Sequence, residues 1–406
     1  MHNSIYKYKN KIRWVKKSAL CAMLVLAAFA LNGCWGSMEL NQLSIVMGIG
    51  VDAAEGGGYE VTAQVVRPGL LKQSSGGGSG SDGKAYFNAK KTAPSVFSAI
   101  RNIMDMFSRR MYTQQCKVLV VGEAVAREDM TPVLEYFMRN EEGRMTMPIM
   151  IAKGSAFRIF EEGTYLETMP AIQLSNMAEN QKYTGLTSYM TVFDFLQDLL
   201  SEAVEPTAPI VELFTDEQGE VKARIGETAV FKGERMVGSF SADEVYGMLL
   251  INNKLSTGVM HITGLGGLIE LEIIRANTSV RPIYDDDGFR IKLQVRMECA
   301  LVSTTSDSNI NEVKEEELIG RLAGAELENR IKYALSAAKV LCADVFSFGQ
   351  MCYQSFPNEY RELPGGWELE FENLRIDMDI NVAITATGAA QHPIKSSQEN
   401  KDERAD

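Results

Sequence analysis

The sequence predicts an α+β protein whose sheets are largely antiparallel and packed by helices. Three observations carry that expectation. Paired apolar stretches flank short turns rich in Gly or Asp, at residues 43–52 with 59–67 and again at 268–280 with 289–301. One long helical pattern, reaching about Ala343, opens on Glu312, Glu315, Glu316 and Glu317, as the positive end of a helix dipole prefers. At 406 residues, 45% hydrophobic and 23% charged, the chain can bury a core but is too long for one ordinary domain.

In chain order, LSIVMGIGVD (43–52) and YEVTAQVVR (59–67) form a hairpin through Gly56, Gly57 and Gly58, with Tyr59, Val61, Ala63 and Val65 alternating against polar neighbours. Residues 72–84 are a Gly/Ser excursion of the flexible kind. Pro94 stands where a helix begins, and Val96, Phe97, Ile100, Ile103, Met104 and Phe107 recur at helical spacing. A strand at 118–121, a helix at 130–139 and a strand at 148–152 follow. Residues 164–209 read as mainly helical, clearest at 192–200, with Pro206 and Pro209 closing the segment at a linker. Residues 225–231 and 236–240 flank Lys232-Gly233-Glu234-Arg235 as a second hairpin, and Ser241 with Glu244 announces a helix through a capping box.

The stretches 268–280 and 289–301 are long strands around Asp285-Asp286-Asp287-Gly288. The buried face of the long helix is Leu327, Ile331, Ala334, Leu335, Ala338 and Leu341. In the last strand Leu374, Ile376, Met378, Ile380, Val382 and Ile384 alternate with polar residues, one face core and the other wet, and it too reads as antiparallel. The expected divisions are a signal segment 1–33, a mixed α/β region 34–209, a hairpin-helix region 210–265, an α+β domain 266–388 and a disordered tail 389–406.

The first 33 residues hold six Lys or Arg and no acid, whereas 34–406 holds 35 basic against 53 acidic residues, a net charge of −18. Such a body repels nucleic acid and anionic lipid. Residues 18–31, SALCAMLVLAAFAL, are too few to span a bilayer and have the layout of an export signal. Leu31-Asn32-Gly33-Cys34 is similar to the bacterial lipoprotein signal, in which the Cys is acylated and becomes the new first residue. Stable anchoring by lipid needs more than one chain, and a body at −18 has no electrostatic substitute.

Beyond Cys21 and Cys34, the residues Cys116, Cys299, Cys342 and Cys352 allow three complete pairings and form no CxxC. Four buried thiols are expected, with Cys342 on a helical face beside Leu335, Ala338 and Val345; a Cys342 to Cys352 disulfide is the alternative. A metal site is not expected, since the body's only His residues are His261 and His392. GSGSDGKA (78–85) matches GxxxxGK but puts Ala85 where a phosphate loop needs a hydroxyl, and Gly48-Ile49-Gly50 reads as close backbone approach. There is no GxSxG elbow, His261 reads as satisfied in the fold, Asp285 to Asp287 read as a solvated turn, and Asp377 and Asp379 share their strand face with Arg375. No catalytic, cofactor or metal residue is predicted.

Several segments together resemble the Ger(x)C family, the lipoprotein subunit of nutrient germinant receptors in spore-forming bacteria. They are Cys34-Trp35, Glu39-Leu40-Asn41 and Ile45 through Asp52; SRRMY (108–112); KVLVVGE (117–123); IAKGSA (151–156); AVFKGERMVG (229–238); then Asp344, Phe348-Gly349, Pro357, Trp367 and the strand closing at Gly388. Tyr360 stands where many members carry another Trp. The resemblance implies a three-domain mixed α/β architecture and no established catalytic residue. It also implies a lipidated, palmitate-bearing Cys34, and two integral membrane partners of A-type and B-type at the outer surface of the spore inner membrane. The rival expectation is an extracytoplasmic solute-binding lipoprotein, which would favour parallel sheets and a hinge, against the antiparallel patterns at 268–301 and 374–384.

Overall fold

The computed structural model describes residues 14, 17, 23, 39–71, 84–140, 143–162, 164–185, 187–201, 203–305 and 313–387. The expectations for Cys34, for residues 72–83 and for the tail from 389 lie outside them. The chain divides into two units, 1–43 and 44–406. In the first, Trp14, Lys17 and Met23 are helical and exposed, and Leu40–Gln42 make a 3-10 turn.

The second unit holds two sheets. The first is built from β1 (Leu43–Ala53), β2 (Tyr59–Val66), β3 (Tyr86–Ala93), β4 (Arg110–Tyr112), β5 (Val118–Gly122), β6 (Ile149–Ala152), β7 (Thr207–Thr215), β8 (Val221–Lys232) and β9 (Arg235–Phe240). Their order is β3-β2-β1-β5-β6-β7-β8-β9, with β4 beside β1. Interspersed are α1 (Pro68–Leu71), α2 (Val96–Met104), α3 (Glu123–Glu128), α4 (Thr131–Arg139), α5 (Ala156–Glu161), α6 (Pro170–Thr184) and α7 (Val192–Leu199). The expected first hairpin is there, with Ile49 opposite Ala63 and Val51 opposite Val61.

The centre of this sheet departs from the antiparallel pattern: β1, β5, β6 and β7 run parallel to one another, while β1 with β2 and β7 with β8 pair antiparallel. The physical reason is visible in VLVVG and IMIA, which are buried at every position because both sheet faces are covered. Leu119, Val121, Ile149 and Ile151 face α2, α3, α4 and α7, whereas Val118, Val120, Met150 and Ala152 face α5 and α6. Strand β3 had no signal in YFNAKKTA, whose mixed polarity suits an edge strand. Pro209 does not end the sheet. Strand β7 runs through it at a register shift, the place where a strand tolerates proline, and β8 and β9 continue the same sheet.

The second sheet, β10 (Val259–Gly264), β11 (Gly267–Asp285), β12 (Gly288–Thr304) and β13 (Arg375–Thr387), is ordered β10-β11-β12-β13. It packs on α8 (Ala242–Ile251) and α9 (Val313–Val340), with α10 (Phe348–Ser355), α11 (Pro357–Arg361) and α12 (Gly366–Asn373) closing one end. Residues 210–265 are thus shared, the hairpin belonging to the first sheet and α8 and β10 to the second core. The capping box at α8 forms as expected: Glu244 accepts from the Ser241 backbone N–H at 2.7 Å and from its hydroxyl at 2.9 Å.

Two expectations are corrected here. Strand β13 pairs parallel to β12, Ile291 opposite Ile376 and Met297 opposite Val382, because α9 intervenes as a crossover and returns the chain in the same direction. Cys342 is exposed, not buried with Leu335 and Ala338. Helix α9 ends before it in a Schellman motif: Ala343 N–H donates to Ala338 O at 3.0 Å and Cys342 N–H to Lys339 O at 3.1 Å, with Cys342 at φ 50°. Leu341 is only partly buried against the core.

Candidate functional site

Among the described residues Asp52 and Asp344 are the buried carboxylates, and each stands where segments singled out in the sequence meet. At the first, β1 delivers Asp52 to the carboxyl ends of β5 and β6. Its carboxylate accepts from Ala156 N–H at 2.7 Å, Phe157 N–H at 2.9 Å and the Ser155 hydroxyl at 3.1 Å. Those are the orphan donors at the start of α5, so Asp52 caps a helix that follows a different strand. Gly122 makes the approach possible, since a Cβ there would lie 2.2 Å from Asp52 Oδ1.

The other end of α5 is held by buried Gln64 of β2. Its amide donates to Asn88 Oδ1 at 3.0 Å and to Phe160 O at 3.3 Å, while its oxygen accepts from Ala171 N–H at 2.9 Å. Asn88 donates to the same Phe160 carbonyl at 2.9 Å. Gly48 and Gly50 leave room for the Phe160 ring, which would stand 2.6 Å and 3.1 Å from a Cβ on each. The close approach expected of that GxG is therefore found.

At the second place, Asp344 is 5% exposed and accepts four hydrogen bonds. Oδ1 takes Phe346 N–H at 3.1 Å and Phe348 N–H at 3.2 Å; Oδ2 takes Gly349 N–H at 2.7 Å and the Trp367 indole N–H at 3.0 Å. Burial pushes its carboxyl up to about 6, against the pull of those four donors. The indole stacks on Tyr360 at 5.6 Å and fills the space a Cβ at Gly349 would need. The carbonyl of Asp344 accepts from Glu205 N–H at 3.1 Å, tying the second core to the chain entering β7.

A crevice of about 840 Å³ opens beside Asp52, lined by Glu60, Lys90, Glu123, Arg127 and Ser155. Helices α3 and α5 leave it toward opposite sheet faces, the arrangement that makes ligand crevices in parallel sheets. Its cations, however, are engaged: Lys90 with Glu60 at 3.0 Å and 4.0 Å from the Phe157 ring, and Arg127 with Glu123 at 2.8 Å. It holds no His or Cys. His261 lies on β10 with Glu270 at 3.3 Å. Asp285 and Asp377 meet Arg290, Asp287 meets Arg375 and Asp379 meets Arg296, an exposed ladder across β11, β12 and β13. Among the described residues no three His, Cys, Asp or Glu converge as metal ligands.

The four described cysteines are unpaired. Burial pushes the thiols of Cys116, Cys299 and Cys352 up to about 12, 11 and 12, which keeps them protonated and unreactive. A thiol-alkylating reagent at neutral pH should therefore label Cys342 of these four and leave the others untouched until the protein unfolds. Peptide mapping by mass spectrometry reads the result, and labelling of Cys299 at the rate of Cys342 would contradict the packing.

Two family models cover the body. One, described as the spore germination protein N-terminal domain, matches residues 36–213, and the other, spore germination B3/GerAC like, C-terminal, matches 226–388. The chain belongs to the Ger(x)C family. Spore germination protein KC of Bacillus subtilis (strain 168) is 22% identical over 400 residues, covering 94% of this chain and 98% of that one. Spore germination protein B3 of the same organism is 24% identical over 386 residues, covering 92% and 99%. The crystal structure of the GerBC protein shares the fold at a TM-score of 0.51 and 19% identity, over 86% of this chain and 99% of that one.

In this Ger(x)C chain the motif residues turn out to be joints. Asp52 meets IAKGSA, and Asp344 meets Phe348-Gly349 and Trp367. Gln64 on β2 and Asn88 on β3 carried no sequence signal, because a polar residue on the second face of a strand reads as solvated unless that face is known to be covered.

Proposed function

We propose that this Ger(x)C protein is a lipid-anchored, non-catalytic subunit of a nutrient germinant receptor. It is held through Cys34 at the outer face of the spore inner membrane and acts by contact with two integral membrane subunits, of A-type and B-type. The observation that carries the reading is the position of Cys34: it follows a charged and then apolar segment of export type, and the family-matched body begins two residues later. Among the described residues no helix is long and apolar enough to cross a membrane, and a body at −18 is repelled by anionic headgroups, so attachment falls to lipid and to partners. Confinement at the membrane raises the effective concentration beside those partners, so modest interfaces suffice.

Cys34→Ala should abolish incorporation of labelled palmitate and release the protein from the membrane fraction. Affinity isolation of the unaltered chain from spore membranes should recover both integral subunits. Retained label in the variant would refute the anchor, and recovery of neither subunit would refute the receptor role.

A further inference from the structure

A second crevice, of about 280 Å³, opens where the first core meets the second. Asp198 at the end of α7 and Glu205 before β7 line it from one side. Asn253 and Lys254 after α8, Thr278 of β11 and Ser347 before α10 line it from the other. Small-molecule sites favour such junctions between packed bodies.

Three independent features converge on it. Thr278 is 8% exposed, and its hydroxyl has no hydrogen-bond partner, although its backbone N–H donates to Asn253 Oδ1 at 2.8 Å. Asn253 at φ 54° and Ser347 at φ 63° are two of the four described non-glycine residues in the left-handed region, where backbone strain gathers at functional sites. The third is the carboxylates. Burial raises the carboxyl of Asp198, against the pull of Lys254, and no described donor reaches it. Burial raises Glu205 as well, against the Gly233 N–H that donates to its Oε2 at 2.7 Å.

Charge and size select the occupant. Asp198 and Glu205 stand against Lys254 alone, so the lining carries a net −1 and disfavours an anion. A neutral solute would leave Asp198 desolvated without a counter-charge. Among the described residues no three His, Cys, Asp or Glu converge here to hold a metal. A primary ammonium carries a single charge and three donors. The volume equals about nine waters, which limits the guest to a few heavy atoms, and Val280 with Phe346 suits a short methylene stem.

We propose that the crevice between the two cores binds a small organic ammonium ion, with its charge on Asp198 and a second polar group on the Thr278 hydroxyl. The inference goes beyond the receptor reading and does not depend on the anchor or on the membrane subunits.

The test is calorimetric titration of the full chain, purified in detergent, with ethanolamine as the probe. Saturable binding at millimolar concentrations is expected, whereas ethylene glycol and glycolate, close to it in size but without the ammonium, should not bind. Asp198→Asn keeps the side-chain shape and breaks no hydrogen bond to a described residue, and it should weaken binding about tenfold or more. Lys254→Ala removes the competing cation and should keep or tighten binding. Unchanged thermal unfolding confirms that neither variant alters the fold. Methyl resonances of ¹³C-labelled Met190, in the first core, and Met351, on α10, should shift as the probe is added, because both line the crevice. Absence of binding overturns the inference. So do equal binding of the neutral or anionic compound, unchanged affinity in Asp198→Asn, and shifts confined to other methionines. No partner is present in this titration, so its failure leaves the receptor reading standing, and recovery of neither integral subunit from spore membranes leaves the crevice standing.

Discussion

Gly247→Ala should lower stability by about 3 kcal/mol, and Gly247→Val should prevent the second core from forming. Position 247 is the point where α8 crosses α9, and a Cβ there would stand 2.1 Å from the backbone oxygen of Arg330 and 2.9 Å from Ala334 Cβ. Neither neighbour is the far end of a flexible side chain, so the two helices must separate, and Ile331 and Ala334, fully buried between them, lose their packing. Helix propensity pulls the other way, but Gly to Ala contributes only about 1 kcal/mol. Gly324→Ala on α9 is the control. Its nearest obstacle is Ile380 Cγ2 at 3.9 Å, so the same substitution should leave stability unchanged or raise it. The unfolding temperature should fall for Gly247→Ala and hold or rise for Gly324→Ala, and equal shifts would refute the close crossing.

Asp344→Asn should cost about 3–5 kcal/mol although it is nearly isosteric. Each carboxylate oxygen accepts from two donors, so an amide in either orientation turns its NH₂ toward a pair of N–H groups and leaves them buried without a partner. The pH dependence has a definite sign. The folded carboxyl is raised from 3.8 to about 6, so its contribution to stability is complete below pH 3.8 and is lost as pH rises through 6. That loss amounts to about 3 kcal/mol. Unfolding measured from pH 4 to 7.5 should show this fall in the unaltered protein and not in Asp344→Asn. Parallel profiles would mean that the carboxylate is not the titrating group.

The elements that alternate or repeat cleanly were legible from sequence: β11 with β12, the wet face of β13, the capping box at Ser241 and the buried stripe of α9. What stayed hidden depends on which segments meet. IMIA reads as a buried strand, yet nothing in four residues says that its neighbours are parallel. The resemblance pointed to Asp52, Asp344 and Trp367 but not to their roles, because Asp52 finds its partner 104 positions away at Ala156. Gln64 reads as solvent-facing on β2, and only the second helical layer makes it a buried clasp. The end of α9 was misplaced since Cys342 is not the glycine that usually occupies a left-handed cap.

Strand β13 has a bearing on truncated products. Ribosomes deliver residues in order, so every strand of the first sheet is available once Phe240 has emerged, whereas the second waits for Thr387. Until then β12 from Arg290 to Leu301 has its ladder groups open on one side, beside an apolar face that α9 covers. A premature stop anywhere between α9 and β13 would leave that border permanently unzipped. Such a fragment would present a template for pairing with another chain, and aggregation rather than mild loss of activity would be its phenotype.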